Sequence, residues 1–275
     1  MGNAQKTAVA DFRQLHDAGC FVLPNPWDIG TAIYLQHLGF KALATTSAGF
    51  AFSRGKSDGA VPRDEMLVHI GEVVAATPLP VNADFLNGFA KDPENLAANV
   101  TRCLATGVAG LSIEDSTGEN DRTLYDENLA IERIRAARSA IDNSQSKVFL
   151  TGRCEAFLVD YPNPLPSVLS RLVAYAEAGA DCLYAPGISE PEEITDVVRA
   201  VSPKPVNVLV TSFNAHLSLA QLADLGVRRI SVGAGLALAA WGAFSRSACE
   251  IMAEGSFKTL AGSARSAELN DLFSK

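Results

Sequence analysis

The chain is expected to fold as a (β/α)₈ barrel, and three observations carry that expectation. Apolar, strand-like runs alternate strictly with helical patterns along the whole chain, which calls for a parallel sheet. There are eight such units, the number that closes this barrel, and 275 residues suit one barrel of about 250 with short additions. Three of the runs end in a charged side chain, and the C-terminal strand ends are where this fold builds its active site. A doubly wound sheet is the alternative, but no Gly-rich dinucleotide fingerprint follows the first run.

In chain order, an N-terminal helix is expected over 7–18, outside the strand count. Strands are expected at 21–23, 42–46, 80–84, 110–114, 148–152, 182–185, 206–209 and 230–232. Between them the spacing predicts helices over 28–38, 62–75, 93–105, 127–140, 166–178, 191–200 and 218–225. Proline is favoured in the first turn of a helix, where its missing N–H is not needed, and Pro93, Pro166 and Pro191 are so placed. Gly39, Gly107, Gly179 and Gly226 end helices shortly before the next strand. A helical tail is expected over 237–252 and 263–273. No linker, low-complexity tract or repeat breaks the pattern, so residues 1–275 are read as a single domain.

Composition excludes several partners. With 48% hydrophobic and 20% charged residues the chain reads as soluble and globular. A formal net charge of −8 and a pI near 5.1 argue against nucleic acid or an anionic membrane, although a small anionic substrate stays open. The five cysteines are odd in number, scattered and without a CxxC pair, which fits a reducing cytoplasm. The first twelve residues hold no apolar core of signal-peptide length, and Lys6 stands where a myristoylation signal wants Ser or Thr. The apolar stretch 230–241 is too short to span a bilayer.

The strand ends and the residues just beyond them bear Ser47, Asp84, Glu114, Asp115, Arg153 and Glu155, with Asn207 inside the seventh strand. Lys41, Lys147 and Lys204 sit at strand starts, on the opposite face, so a Schiff-base aldolase lacks its nucleophile. His16, His37 and His69 fall in helices and read as surface or packing residues, while His216 follows the seventh strand in a loop. With neither Lys nor His as a base, a metal is the expected electrophile. Mg²⁺ suits Asp84 and Glu114, because it is a hard cation that keeps several waters and takes one or two carboxylates. A 2-oxo acid can chelate such an ion, which with Arg153 would stabilise the enolate formed when a bond at C3 breaks. The competing reading is that Asp84 and Glu114 cap loops or pair with Arg153.

Six segments, in order and spanning roughly residues 20–235, carry a resemblance to the isocitrate lyase/phosphoenolpyruvate mutase superfamily. Asn25-Pro26-Trp27-Asp28 resembles its N-A-x-D, and Thr46-Ser47-Ala48-Gly49 with Gly55-Lys56-Ser57-Asp58-Gly59 resembles its S-S/A-G segment and G-x-x-D loop. Val81-Asn82-Ala83-Asp84 with Gly88-Phe89 resembles D-A-D-x-G-Y-G, and Ile113-Glu114-Asp115 matches I-E-D. Gly152-Arg153-Cys154-Glu155-Ala156 resembles A-R-T-D/E-A, and Gly179-Ala180-Asp181 matches G-A-D. The resemblance implies a Mg²⁺-dependent barrel that cleaves or forms C–C or C–P bonds beside a 2-oxo acid. It also implies a homotetramer in which a C-terminal helix swaps between subunits. Carried over by position, Asp58, Asp84 and Glu114 belong to the metal environment, mostly through waters. Ser47, Ala48 and Gly49 bind the substrate carboxylate and keto group, partly through backbone N–H groups; Arg153 binds substrate oxygens and Asn207 lines the pocket.

The departures narrow the reading. Asn82 replaces the first metal-site Asp, a neutral ligand of similar shape. The loop after I-E-D carries K-K-C-G-H in the lyases, whose Cys supplies a proton, but here residues 116–123 contain neither Cys nor Lys. Cys154 is read as filling small space beside Arg153. The expectation is therefore a C–C lyase or decarboxylase acting on a small 2-oxo or 2-hydroxy acid, not a true isocitrate lyase. Proton delivery would come from water or not at all. Asn120 and Arg122 of that loop, as hydrogen-bond donors at the barrel mouth, keep open C–P chemistry, as in phosphonopyruvate hydrolase or phosphoenolpyruvate mutase. A barrel that binds a 2-oxo acid without turnover is the remaining alternative. The apolar tail 236–244 is expected to pack on another subunit in a dimer or tetramer.

Overall fold

Eight parallel strands form one nearly closed barrel in the computed structural model, which describes residues 2–118, 123–159, 161–212 and 214–274. The elements run α1 (Asn3–Leu15), β1 (Phe21–Leu23), α2 (Ile29–His37), β2 (Leu43–Ala44), α3 (Ser47–Ser53), α4 (Arg63–Ala75) and β3 (Val81–Asp84). They continue α5 (Pro93–Ala105), β4 (Gly110–Glu114), α6 (Glu127–Asn143), β5 (Phe149–Arg153), α7 (Pro164–Glu177), β6 (Cys182–Tyr184) and α8 (Pro191–Val201). The last are β7 (Val206–Leu209), α9 (Leu219–Asp224), β8 (Arg229–Ser231), α10 (Gly235–Glu254) and α11 (Ser266–Phe273), with a 3₁₀ turn at Lys258–Gly262. Each strand falls within two residues of its expected bounds.

The ladder runs from β2 through β3 to β8 and on to β1. The seam between β1 and β2 is held by Ala44 N–H donating to Pro24 O at 3.0 Å. Asn25 reinforces it: its Nδ2 donates to Thr45 O at 2.9 Å, and its Oδ1 accepts from Val232 N at 2.9 Å and Gly233 N at 2.8 Å. One side chain thus ties the ends of β1, β2 and β8. The run expected over 42–46 keeps only two ladder residues because its last two side chains are diverted. Thr45 Oγ1 accepts from Asp84 N, and Thr46 caps α3, a short helix the motif reading did not anticipate.

Side chains alternate along a strand, and here the two faces differ in chemistry. Those facing the helices are apolar and buried, among them Ala83, Leu111, Ile113, Leu150, Leu183, Val208 and Ile230. Burial of this face against the helices is what makes the strands read as apolar runs. The inward faces of β3 to β8 instead bear Asn82, Ser112, Thr151, Asn207, Arg229 and Ser231, all buried. The helix N-terminal to the barrel plugs its lower end. Phe12 of α1 is fully buried and His16, capping α1, stacks on Phe149 at 4.1 Å. Burial first, and Arg229 second, push the His16 pKa down to about 3, so the ring is neutral. Helix starts and ends follow the expected chemistry: Pro93 and Pro191 open α5 and α8, and the residues after α5 and α7 include Gly107 and Gly179 at φ 95° and 107°.

The tail leaves the barrel from β8 as α10, a helix of 20 residues with Leu238, Trp241 and Phe244 exposed. Phe273 of α11 returns to pack over Gly30 of α2. No described helix is long and apolar enough to cross a membrane.

Candidate active site

At the C-terminal end of the barrel a cavity of about 220 Å³ opens between β2, β3, β5 and β8. It is lined by Ser47, Ala48, Asp58, Asn82, Asp84, Arg153 and Asn207, seven of the residues singled out from the sequence. They converge because inward strand positions two apart, such as Asn82 and Asp84, stack one layer above another.

Arg153 is the centre of charge. Its Nη1 lies 3.3 Å from Asp84 Oδ1 and 3.3 Å from Glu114 Oε2, and its Nε donates to Glu155 Oε1. Three carboxylates thus face one guanidinium in a largely buried setting. Asp84 Oδ2 accepts from Ser47 N at 2.9 Å and Ser47 Oγ at 2.7 Å, which fixes the start of α3 against β3. Burial first, then Glu155 and Asp84, hold the Glu114 carboxyl well above its ordinary pKa, against the pull of Arg153. Burial raises Glu155 in the same way. Arg153 loses solvation too, but Glu155 and Glu114 keep its proton firmly in place. Three carboxyl groups thus compete for one cation, which disfavours their full ionisation.

Several expected residues behave differently. Asp115 follows Glu114 and so points the other way, into the helical shell. There its Oδ2 meets Arg171 Nη1 at 3.2 Å and Tyr175 Oη at 2.7 Å, while its Oδ1 accepts from Glu155 N at 2.8 Å. Cys154 shares that outward face, buried beside Asp115, and burial raises its thiol pKa far from the acid range. The Gly49 N–H is spent on Thr46 Oγ1 at 3.1 Å, and a Cβ there would meet Thr46, Ala237 and Trp27, so this glycine permits close packing rather than presenting a donor to substrate. Asn207 lines the cavity as expected, with both ends of its amide engaged within the barrel. Glu114 stands behind Arg153 rather than on the cavity wall. His216 is exposed and does not line the cavity, and His69 stacks on Phe50 at 3.8 Å. Asn120 and Arg122 lie outside the described residues.

The cluster suits a hard cation. Its donors are all oxygen, and two buried oxygens, Glu114 Oε2 and Asn82 Oδ1, have no hydrogen-bond partner. No three His, Cys, Asp or Glu side chains among the described residues are grouped so as to hold an ion unaided. An ion here would rest on one or two of these oxygens and complete its shell with water, the habit of Mg²⁺.

Tyr184, Ser231 and Arg229 also line the cavity, although none belongs to a family motif. Their signal was the two-residue spacing of Arg229 and Ser231 on β8, polar residues on the inward face of an otherwise apolar run.

A family model described as phosphoenolpyruvate phosphomutase matches residues 12–252. A solved structure of a candidate lyase/mutase from Burkholderia cenocepacia superposes with a TM-score of 0.96 at 46% identity, covering 99% of this chain and 98% of that one. An uncharacterized protein of Mycobacterium tuberculosis is 35% identical over 225 residues, 81% of each chain. The 2-methylisocitrate lyase of Salmonella typhimurium is 28% identical over 227 residues, 78% of this chain and 71% of that one. The chain belongs to the phosphoenolpyruvate mutase family, within the isocitrate lyase/phosphoenolpyruvate mutase superfamily of lyases and mutases.

Proposed function

We propose that this chain is a Mg²⁺-dependent enzyme that breaks a bond at C3 of a small 2-oxo or 2-hydroxy acid through an enolate-like intermediate. The C–C lyase or decarboxylase type leads. The observation that carries the reading is the Asp84–Arg153–Glu114 cluster, with its surplus of carboxyl groups, whose Asp84 and Arg153 line a cavity that also holds Ser47 and Ala48. A volume of about 220 Å³ is roughly seven waters, enough for an acid of a few carbons and too small for a nucleotide.

In this scheme Ser47 and Ala48 hold the substrate carboxylate and keto oxygens. The Ala48 N–H sits in the first turn of α3, where a helix has no internal acceptor for it. Arg153 binds the same oxygens and opposes the charge that develops on the enolate. Asp84, Glu114 and Asn82 are the residues that would hold Mg²⁺, with Asp58 at the rim. When bound, the ion withdraws electron density from the keto oxygen and lowers the cost of the enolate. Glu155 steadies Arg153.

The test is a screen of 2-oxo acids, C4 acids and phosphonates with Mg²⁺, read together with entry of solvent deuterium at C3 of pyruvate. Exchange or turnover is expected. Saturable binding with no exchange for any acid would instead make the barrel a binder. Rapid, reversible cleavage of isocitrate or 2-methylisocitrate would contradict the non-isocitrate reading. The phosphomutase family match favours a second reading, C–P chemistry, for which phosphonopyruvate would yield pyruvate and phosphate or rearrange.

The exposed Leu238, Trp241 and Phe244 of α10 support a homo-oligomer in which this face is covered by another copy. Sedimentation at micromolar concentration should give a dimer or tetramer, and a monomer would refute it.

A further inference from the structure

An enolate formed at this site needs a proton at C3, and the expectation from the sequence is delivery from water or not at all. The cavity wall opposite Asp84 offers another source. Tyr184, on the inward face of β6, has the Arg153 guanidinium carbon 5.1 Å from its ring centroid and stands in register with Asn207 of β7, whose amide reaches Ser231. It lines the cavity.

The direction of the hydrogen bonds beneath Tyr184 is set by a group that can only donate. Arg229 is buried in the barrel, and among the described residues no carboxylate lies within ion-pair distance of it. Its Nε donates to Asn207 Oδ1 at 2.9 Å, and its Nη2 donates to Thr151 Oγ1 at 3.0 Å. Because a guanidinium cannot accept, the Asn207 oxygen must face it, and the Asn207 Nδ2 therefore donates to Ser231 Oγ at 2.9 Å. Ser231 Oγ, already accepting, has its own proton free to give at the cavity, which the Tyr184 phenol also lines. Donor polarity thus runs from Arg229 through Asn207 to Ser231, beside Tyr184.

We infer that Tyr184 is the catalytic acid that protonates the enolate carbon, with Ser231, Asn207 and Arg229 as positioning residues. The inference rests on the enolate reading proposed above. As the bond at C3 breaks, its electron pair stays on the 2-oxo acid as the enolate. C3 then forms a bond to the Tyr184 proton, and the phenol O–H breaks to leave a phenolate. That anion sits beside the Arg153 guanidinium. Water reprotonates it, and hydroxide leaves to solvent. Burial first, and then Glu155 and Asp84, push the Tyr184 pKa up to about 12, while Arg153 and Ser231 pull against that rise. The phenol is thus protonated at rest, as a proton donor must be.

The experiment compares wild-type protein with Tyr184→Phe, which keeps the ring over Arg153 and removes only the hydroxyl. Deuterium exchange at C3 is measured with Mg²⁺ on pyruvate and on 2-oxobutanoate, whose C3 hydrogens are distinguishable by face. Binding of oxalate, a mimic of the enolate, is measured in parallel. The wild type is expected to exchange one face of 2-oxobutanoate. Tyr184→Phe is expected to bind oxalate within about threefold of wild type, to exchange about 100-fold more slowly or worse, and to lose the facial preference. Exchange within threefold of wild type, or retained facial selectivity, overturns the assignment. If Tyr184→Phe no longer binds oxalate, Ser231→Ala decides instead: with oxalate binding kept, exchange slowed about tenfold supports the chain, and an unchanged rate overturns it. A wild-type protein inert to every acid would sink the enolate reading itself, which is distinguishable from an active wild type with an active Tyr184→Phe.

Discussion

Two buried arginines hold carboxylates at the top of this barrel, and they do so to opposite ends. Arg171 and Asp115 form a closed set in the shell: both Asp115 oxygens are engaged, by Arg171, Tyr175 and the Glu155 N–H. Arg153, one layer inward, faces Asp84, Glu114 and Glu155 at once, and Glu114 Oε2 is left without a hydrogen bond. The first set has one charge for one charge and little spare capacity. The second is overloaded with carboxyl groups and opens onto a cavity. Saturated ion pairs hold a structure together, whereas an unsaturated one stores affinity for something else.

The largest expected contrast is in activity. Asp84→Ala should lower turnover at least about 1,000-fold, some 4 kcal/mol of transition-state stabilisation, because it removes the cluster's link to Ser47 and one of the oxygen donors proposed for Mg²⁺. Its stability should stay within about 1 kcal/mol of wild type, since Glu114 and Glu155 still face Arg153. Added Mg²⁺ should raise the melting temperature of wild type but not of this variant. Full activity in Asp84→Ala, or in excess chelator, would break the distinction.

Asp115→Ala should do the reverse. It strands Arg171 in the shell and should cost about 3 kcal/mol of unfolding free energy, seen in denaturant titration. Turnover per folded molecule should fall less than tenfold. A stable but inactive Asp115→Ala would place this residue in the reaction.

The smallest effect is a pH dependence that sharpens the comparison. Glu114 has a folded pKa raised above its unfolded value of 4.5, so the folded chain binds its proton more tightly than the unfolded chain does. Its contribution is most favourable below that unfolded value and declines as pH rises through the raised folded value. Glu114→Gln should remove that decline and gain about 1 kcal/mol near neutral pH in the absence of Mg²⁺. Parallel melting curves for the two proteins from pH 5 to 8 would show that Glu114 is not the overloaded member.

The strands were legible because the face each turns to the helices is buried and apolar, and the charged residues that end them stand out against that background. Asp84, Glu114 and Arg153 could be placed at the mouth for this reason alone. The partition of Glu114 and Asp115 was also implicit in the two-residue period of a strand, although a motif read as a unit obscures it. Less could be seen where a residue's role depends on what comes from elsewhere in the chain. Tyr184 reads as one more apolar residue of a buried strand until Ser231, 47 positions later, is set beside it.

By itself the sequence determined the alternation of eight strands and helices, the end of the barrel where the charged residues gather, and the family, because these follow from local periodicity and from short ordered motifs. Only the tertiary structure decided which carboxylates share an arginine, that Asn25 closes the seam, and that a donor chain climbs from Arg229 through Asn207 to Ser231. Hydrogen-bond direction and charge balance are properties of side chains brought together by closure of the barrel. Neighbours around that circle are far apart in the chain, so no local pattern encodes their distances.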